Sequence, residues 1–169
     1  MENYNPFKMT AITRRSLSVP MRELMNLGLL YGNILDYGCG KAFDLNFLSY
    51  LGLDIVGYDK YNLEYKDEGL LDKKYDVVVA NYVLNVIPNL QEHQQVIDKL
   101  RLLGDNVYIA LRNDRKAIKD TWEYIEENDC YRTSRQSYQR YYDDESIHKY
   151  LGEVEYITNN SSLMLLKLK

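Results

Sequence analysis

Two glycines at the end of a short apolar run form the first candidate ligand site in the sequence. Gly38 and Gly40 follow residues 33–37 (N-I-L-D-Y) and precede a stretch with helical spacing. Glycines let the backbone turn tightly and approach a ligand, and the N–H groups at the start of a helix face that ligand. A dinucleotide-binding turn requires a third glycine, but Phe43 stands at that position. The pair therefore indicates either a ligand other than a dinucleotide or a tight turn without a ligand.

Two acidic residues accompany this turn. Asp36 precedes the first glycine by two residues, where a carboxylate repels a pyrophosphate and attracts an ammonium group. Asp59 ends the next apolar run, about 19 residues after Gly40, where an acid can accept hydrogen bonds from both hydroxyls of a ribose. An acid at a strand end can also cap a helix. In this order, the turn and the two acids favour a cationic ligand with an amino-acid moiety, such as S-adenosylmethionine.

Polar residues also follow the third apolar run, residues 75–80 (Y-D-V-V-V-A). Asn81 and Tyr82 come where a doubly wound sheet opens its crevice, so Asn81 can bond a ligand and Tyr82 can line a pocket. A polar strand end beside a wall aromatic is an equally good interpretation. Asn85 lies in an apolar turn and needs a partner if it is buried. The segment N-Y-V-L departs from the [D/N]-P-P-[Y/F] pattern of enzymes that methylate exocyclic amino groups of bases.

A basic and tyrosine-rich strip spans residues 131–142. Arg132, Arg135 and Arg140 alternate there with four tyrosines and no acid. Arginines with aromatic rings can hold phosphates and stack bases, which makes the strip a possible nucleic-acid contact. The alternative is a solvated loop whose tyrosines pack on the sheet. A second basic cluster, Thr13-Arg14-Arg15, has the same two interpretations.

Histidine and cysteine provide little further chemistry. The histidines are His93, which we expect to be solvated in a polar helix start, and His148. Neither has a second ligand at a metal-binding spacing, so no metal site is predicted. Cys39 is close to a helix start, which can lower the pKa of a thiol, but its small size is the favoured reason for its position. No nucleophile–histidine–acid set and no general base is recognisable.

The composition excludes several classes of protein. A length of 169 residues fits one domain, and 46% hydrophobic with 27% charged residues suits a globular core. The net charge of −4 and the pI of about 5.3 argue against a protein that coats nucleic acid. Two cysteines, no signal-like start and no run near ~18 apolar residues indicate a cytoplasmic protein without a membrane span. The 17 tyrosines suit clefts and interfaces.

The periodicity of the chain indicates how these residues are positioned. Ser18 is expected to cap a helix, and Pro20 suits its first turn. Strands are predicted at 33–37, 54–58, 75–80 and 106–111, with a further one in 60–74 that is least defined. A helix is predicted to follow Gly40 and to end at Gly52, and further helices are predicted at about 91–103, 114–128 and 143–151. Residues 153–158 and 162–167 alternate around Asn159-Asn160 as an antiparallel hairpin. The pattern predicts one α/β domain, residues 1–169, with a mostly parallel seven-stranded sheet, a C-terminal hairpin and helices on both faces. Residues 1–30 form its N-terminal helical extension and 31–169 its core.

These motifs resemble the class I S-adenosylmethionine-dependent methyltransferases, a Rossmann-like family. Residues 34–40 (I-L-D-Y-G-C-G) are similar to its first motif, Asp59 to its second, and residues 75–81 to its fourth-strand motif. A closer likeness, over residues 8–113, is to the DNA phosphorothioation-associated putative methyltransferases. It includes residues 10–20 and the segment 82–87 (Y-V-L-N-V-I). Two residues depart from the pattern. Ala42 replaces a third glycine, which requires a negative φ there, and Lys60 replaces a proline.

The resemblance implies methyl transfer from S-adenosylmethionine to a nucleic acid or a small molecule. It implies that Asp36 and the turn of Tyr37, Gly38, Cys39 and Gly40 hold the methionine end, that Asp59 holds the ribose, that Lys60 and Tyr82 border the adenosine, and that Asn81 lies near the transferred methyl. The candidates for contact with the acceptor are Asn85, Arg112, Arg132, Arg135 and Arg140. Two alternatives remain open: a non-catalytic module that binds the cofactor or a partner protein, and a weaker one, an NAD-dependent oxidoreductase.

Overall fold

Four parallel strands form the centre of the computed structural model, which describes residues 10–161 and 163–169. The strands, in chain order, are β1 (Asn33–Tyr37), β2 (Asp54–Tyr58), β3 (Val77–Asn81), β4 (Val107–Leu111), β5 (Glu123–Ile125), β6 (Cys130–Arg132), β7 (Tyr138–Gln139), β8 (Val154–Asn159) and β9 (Met164–Leu168). The main sheet has the order β2-β1-β3-β4-β9-β8, and only the β4–β9 and β9–β8 pairs are antiparallel. The predicted Rossmann-like α/β sheet with a closing hairpin is therefore confirmed in its main features.

Within the residues that the structure describes, the main sheet has six strands, so the prediction of seven was wrong. The missing strand is the one expected within residues 60–74. That segment instead carries a short 3-10 helix, Glu68–Asp72, in which no residue is buried. Asp67 caps this turn by accepting a hydrogen bond from the N–H of Gly69. A charged segment without a buried face cannot supply the apolar side chains that an additional strand packs on the sheet, and β2 is left as the edge.

Helices cover both faces of the main sheet, as predicted. They are α1 (Val19–Asn26), α2 (Phe43–Tyr50), α3 (Leu90–Leu103) and α4 (Asp144–Leu151). One apolar cluster joins α1 and α2 to the sheet through residues such as Leu24 and Leu48, and the other joins α3 and α4 through Leu100 and Leu151. Ser18 caps α1 by accepting a hydrogen bond from the N–H of Met21, which confirms the predicted helix start.

The segment between β4 and α4 differs from the prediction. Residues 114–128, expected as a helix, contain two 3-10 turns and β5, and the strip at 131–142, expected to be irregular, contains β6 and β7. These three strands form a separate antiparallel sheet in the order β5-β6-β7. Strands of two or three residues are too short to show a period of two, whereas Ile118, Trp122 and Ile125 happen to repeat at helical spacing.

The C-terminal hairpin is confirmed as the antiparallel pair of β8 and β9. Residue 162, placed in its second strand by the sequence, lies outside the described residues, as do residues 1–9 of the predicted N-terminal extension. The turn is held by the Asn160 side chain, whose Oδ1 accepts from the N–H of Leu163 at 3.1 Å.

His93 is part of the core, so the expectation of a solvated side chain was wrong. Its ring is fully buried, and Nε2 lies 2.6 Å from the Tyr142 hydroxyl oxygen. The ring of Tyr150 packs edge-on against it. Burial lowers the pKa of His93 to about 3, with a smaller contribution from the positive charge of Arg140. His93 is therefore neutral at pH 7 and acts as a packed hydrogen-bonding group of α3.

Candidate functional site

A cleft of about 620 Å³ opens at the carboxyl ends of the parallel strands. β1 lies between β2 and β3: the chain passes from β1 to β2 and then crosses back to β3 on the other side of β1. Doubly wound sheets bind ligands where the strand order reverses in this way. The volume is within the range of roughly 300–1,000 Å³ that small-molecule sites occupy. The lining includes Tyr37–Gly40, Asp59–Tyr61, Asn81–Val83, Arg112 and Asp114, together with two less expected segments, Thr10–Ile12 and Ser137–Gln139.

The glycine turn follows β1 and forms one wall of the cleft. Gly38 has φ +78°, and a Cβ atom there would overlap the Cγ2 of Val83, so only glycine fits. The N–H groups of Gly38 and Cys39 both donate to the carbonyl oxygen of Tyr58, at 2.7 and 3.1 Å. These donors are therefore engaged within the protein. The turn offers a ligand close approach to the backbone rather than a row of free N–H groups.

Asp59 holds two loops of the cleft together. Its Oδ2 accepts from the N–H of Gly40 at 2.9 Å, and its Oδ1 accepts from the N–H groups of Tyr61 and Asn62 at 2.9 and 3.0 Å. Asn62 completes the link by donating from Nδ2 to the carbonyl of Gly40 at 2.8 Å. A carboxylate has about four acceptor positions, so three are filled and about one remains for a ligand. Asp59 thus lines the cleft and also fixes its shape.

Asp36 lies beneath the turn, in β1, and is only 4% exposed. It pairs in register with Gly57 on β2 and Val79 on β3 and is not among the residues that line the cleft. Burial, followed by the negative charges of Asp44 and Asp59, raises the pKa of Asp36 to about 8, against a smaller opposing effect of Arg14. The excess of negative charge means that a bound cation would stabilise the ionised carboxylate.

Asn81 ends β3, Tyr82 follows it, and both residues line the cleft. Both amide atoms of Asn81, Oδ1 and Nδ2, are buried, and neither has a hydrogen-bond partner in the described part of the chain. A buried amide without partners is costly, so this side chain is suited to bond a ligand. Tyr82 adopts φ +60°, a left-handed conformation that is strained for a tyrosine and is found most often at functional sites.

Ala42 departs from the expectation for its backbone. The sequence required a negative φ there, but Ala42 adopts φ +58° and immediately precedes α2. Its methyl group is fully buried among apolar residues. The turn therefore retains the left-handed backbone conformation that a glycine would favour, and the backbone of Ala42 is strained there because of its Cβ atom.

Lys60 and Cys39 also lie along the cleft. The Nζ of Lys60 forms an ion pair with the Oε1 of Glu92 at 2.6 Å, which fixes the cation beside the Tyr61 ring. Burial raises the pKa of the Cys39 thiol, and nearby carboxylates add to this, so the expected helix-start effect does not produce a reactive thiolate. The Cys39 sulfur would lie 3.0 Å from a Cβ on Gly57, which supports small size as the reason for cysteine here.

Two of the residues predicted to contact the methyl acceptor, Asn85 and Arg112, form hydrogen bonds within the protein. Asn85 is buried, donates from Nδ2 to the carbonyl of Arg140 at 2.6 Å and accepts from the N–H of Arg112 at 3.2 Å. Its predicted need for partners is thus met within the protein, which leaves little capacity for a substrate. Arg112 does line the cleft, where it forms a two-pronged pair with Asp114 at 2.8 and 3.1 Å.

Arg140 does not face a ligand. It is only 1% exposed, and its guanidinium connects the small sheet to the loop before α3. Because its guanidinium N–H groups donate hydrogen bonds to backbone carbonyl oxygens of the protein, Arg140 is not available to a phosphate. The acceptors are the carbonyl oxygens of Ile87, Pro88, Asn128 and Asp129, at 2.6 to 3.2 Å.

The strip at residues 131–142 is therefore not one continuous basic surface. Arg132 is exposed and pairs with Glu123 on the neighbouring strand, and Arg135 is exposed in the turn between β6 and β7. Neither arginine is among the cleft-lining residues. Formation of the small sheet separates the three arginines, which the sequence alone does not reveal.

Two segments of the cleft were missed by the sequence interpretation. Thr10–Ile12 and Arg14 approach from the N-terminal side, and Ser137–Gln139 approach from the small sheet. The basic cluster at 13–15 was the available signal for the first segment. The second segment lies within the basic and tyrosine-rich strip at 131–142, but its place in the cleft depends on long-range contacts such as those of Arg140.

Within residues 10–161 and 163–169, no group of three or more histidine, cysteine, aspartate or glutamate side chains is arranged to hold a metal ion. In that same part of the chain, no helix has the length and apolar character needed to cross a bilayer.

A family model described as "Methyltransferase domain" matches residues 12–156, which is most of the chain. No curated protein matches it significantly.

Several solved structures share the fold. A SAM-dependent methyltransferase from Bacteroides fragilis, solved with S-adenosyl-L-homocysteine, is 16% identical and has a TM-score of 0.60, covering 92% of this chain and 79% of its own. The CcbJ methyltransferase from Streptomyces caelestis is 13% identical with a TM-score of 0.61, covering 90% and 91%. Magnesium protoporphyrin IX methyltransferase from Synechocystis, solved with SAM, is 15% identical with a TM-score of 0.55, covering 96% and 90%. At these identities the likeness concerns the fold.

Proposed function

Because the chain belongs to the methyltransferase-domain family, we propose that it transfers a methyl group from S-adenosylmethionine to a small-molecule acceptor. One observation carries the proposal. The glycine turn, Asp59 and the partnerless amide of Asn81 meet in a single cleft at the carboxyl edge of the sheet. The same cleft lies beside buried carboxylates that favour a cation.

The residues of the cleft fit this cofactor. S-adenosylmethionine, when bound, supplies a methyl group already activated by its sulfonium. Asp36 would stabilise the positive charge, the close backbone approach at Gly38 and Gly40 would admit the methionine portion, and Asp59 would accept from the ribose through its remaining lone pair. Lys60 and Tyr82 would border the adenosine, and the buried amide atoms of Asn81 would form hydrogen bonds with the ligand. Two of the similar structures were solved with S-adenosylhomocysteine or SAM, which supports this choice.

The protein would contribute to catalysis by aligning the methyl acceptor with the activated methyl group of the cofactor. Burial raises the pKa of the Cys39 thiol and of the Tyr82 phenol and keeps both protonated, so neither serves as a general base. An activated methyl needs chiefly the correct approach of the acceptor and exclusion of water. Tyr82 and the Arg112–Asp114 pair are the groups best placed to orient that acceptor.

A small molecule suits the acceptor side better than a nucleic acid. Thr10–Ile12 and Ser137–Gln139 add two further segments to the lining of the cleft. Arg140 is buried, and Arg132 and Arg135 are exposed and lie outside the lining. The lining tyrosines and apolar side chains favour a compact ligand with a polar group over an extended phosphate backbone.

Transfer of labelled methyl tests this proposal. The chain is incubated with tritiated S-adenosylmethionine and separate fractions of small molecules, nucleic acid and protein. We expect label in the small-molecule fraction, and its loss with Asp36→Asn. Label in nucleic acid would overturn the acceptor class. Cofactor binding without transfer to any fraction would favour the non-catalytic module.

Two finer assignments belong to the same proposal. We propose membership of the phosphorothioation-associated group on the basis of residues 10–20 and 82–87. We also propose a cytoplasmic location, which the two free cysteines, Cys39 and Cys130, support because free thiols suit a reducing compartment.

A further inference from the structure

One arginine lies at the edge of the cleft without a hydrogen-bonded partner in the described part of the chain. Arg14 lines the cleft, and its side chain is 27% exposed. Its nearest acid is Asp44, with Nε and Oδ2 separated by 3.9 Å, which is beyond a hydrogen bond. The other lining cations are all hydrogen-bonded within the protein: Lys41 to Thr13, Lys60 to Glu92 and Arg112 to Asp114.

The segment that carries Arg14 is fixed by other contacts. The N–H of Ser18 donates to the Oδ1 of Asp44 at 2.8 Å, and the Nζ of Lys41 donates to the Oγ1 of Thr13 at 2.7 Å. These bonds attach the segment to the glycine turn and to α2. The guanidinium is thereby held at the cleft while its own donors remain available.

Arg14 lines the cleft, and Asp36 lies buried beneath the glycine turn that forms one of its walls. The positive charge of Arg14 acts on the pKa of Asp36 in the direction opposite to burial and thus favours the ionised carboxylate. An α-amino acid carries both an ammonium and a carboxylate. A guanidinium presents paired donors that match a carboxylate, and a buried carboxylate attracts an ammonium.

We propose that Arg14 binds the α-carboxylate of the amino-acid end of S-adenosylmethionine and S-adenosylhomocysteine, while Asp36 attracts the ammonium group. This inference rests on the proposed function. It assigns a ligand-binding role to the N-terminal segment, which precedes the first strand of the sheet.

Calorimetry with two nucleosides tests the assignment. S-adenosylhomocysteine carries the carboxylate, and its decarboxylated counterpart keeps the amine and lacks only that group. We expect the unaltered chain to bind S-adenosylhomocysteine the more tightly. We expect Arg14→Ala to weaken its binding by about 10-fold to 100-fold, in line with a lost charge-assisted hydrogen bond, and to leave the decarboxylated compound unaffected.

Two further variants serve as controls. Arg15→Ala removes the neighbouring, exposed arginine, which is not among the lining residues, and is expected to bind both nucleosides like the unaltered chain. Arg14→Lys keeps the charge without the paired donors, so its discrimination is expected to fall between those of the unaltered chain and Arg14→Ala. Thermal unfolding without ligand establishes that each variant is folded.

The outcomes separate this inference from the proposed function. If Arg14→Ala weakened both nucleosides equally, the arginine would act only by holding the segment, and the inference would be wrong. Unchanged binding of S-adenosylhomocysteine by both Arg14 variants would overturn it as well. Failure of the unaltered chain to bind either nucleoside would contradict the proposed function and, with it, this assignment.

Discussion

Asp36 shows a conflict between stability and binding at the scale of one residue. The carboxyl is buried beside two other acids, and its pKa in the folded chain is about 8 against an ordinary 3.8. Between these values, the folded chain holds a proton that the unfolded chain has released. The contribution of Asp36 to stability is therefore lost as the pH rises from about 4 to 8, at up to about 1.4 kcal/mol per pH unit.

Asp36→Asn should stabilise the chain without ligand and impair binding. The amide stays neutral, so the free energy of unfolding of the variant should exceed that of the unaltered chain by a margin that grows from pH 4 to pH 8 and then stays level. Urea unfolding of both proteins across this range measures the difference. S-adenosylhomocysteine should bind more weakly to the variant at pH 8, since its ammonium loses an opposite charge. A margin that did not change with pH would show that Asp36 is ionised throughout.

Asp59 combines two roles that its substitution will affect together. Asp59→Ala should reduce the affinity for S-adenosylhomocysteine by about 1–3 kcal/mol, and it should lower the free energy of unfolding by about 2 kcal/mol because three backbone N–H groups lose their acceptor. Calorimetry and urea unfolding measure the two effects. Asp59→Asn is the matched control, because its remaining oxygen keeps part of the loop contacts. Unchanged affinity in Asp59→Ala would remove this residue from the binding site.

The residues that could be predicted from sequence are those fixed by local geometry. Gly38 and Asp59 follow strands whose ends meet at one edge of a parallel sheet, so their order along the chain was sufficient to place them in one cleft. His93 was misjudged because its polar neighbours hide a buried helix face. The left-handed φ of Ala42 was also missed, since nothing in the sequence states a dihedral angle.

At the scale of elements, the small sheet β5-β6-β7 is the least predictable part and depends on one side chain. Arg140 donates to carbonyl oxygens in the turn that connects β5 to β6 and to carbonyl oxygens in the loop before α3. The four parallel strands were predicted within two residues because each is a separate apolar run. The small sheet was not, because contacts between residues more than 50 apart determine its position.

Arg140→Met should destabilise the chain far more than loss of either exposed arginine. The carbonyls would be left buried without donors, so we expect a loss of about 3–5 kcal/mol in the free energy of unfolding. Arg132→Ala and Arg135→Ala are the controls and should each change it by less than about 0.5 kcal/mol, since both side chains are exposed. Urea unfolding of the three variants gives the comparison. Equal effects of all three would contradict the anchoring role of Arg140.

At the scale of the whole molecule, the tyrosine surplus has a specific location. Five of the 17 tyrosines line the cleft: Tyr37, Tyr58, Tyr61, Tyr82 and Tyr138. Their rings supply apolar walls with polar edges, which suits a nucleoside and a compact acceptor. The net charge of −4 agrees with a protein whose cleft-lining cations are few and mostly paired, rather than one built to attract a polyanion.

Calorimetric titration of the unaltered chain with S-adenosylhomocysteine, and in parallel with NAD, tests the central claim most directly. Buried acids lie beneath the glycine turn of the cleft, and the N–H groups of that turn are hydrogen-bonded within the protein. The buried amide of Asn81 lacks hydrogen-bond partners in the described part of the chain. These features favour binding of the amino-acid nucleoside over binding of a pyrophosphate. We expect saturable binding of one S-adenosylhomocysteine per chain and no binding of NAD. Binding of NAD alone, or of neither compound, would contradict the claim that this cleft is the cofactor site of a methyltransferase.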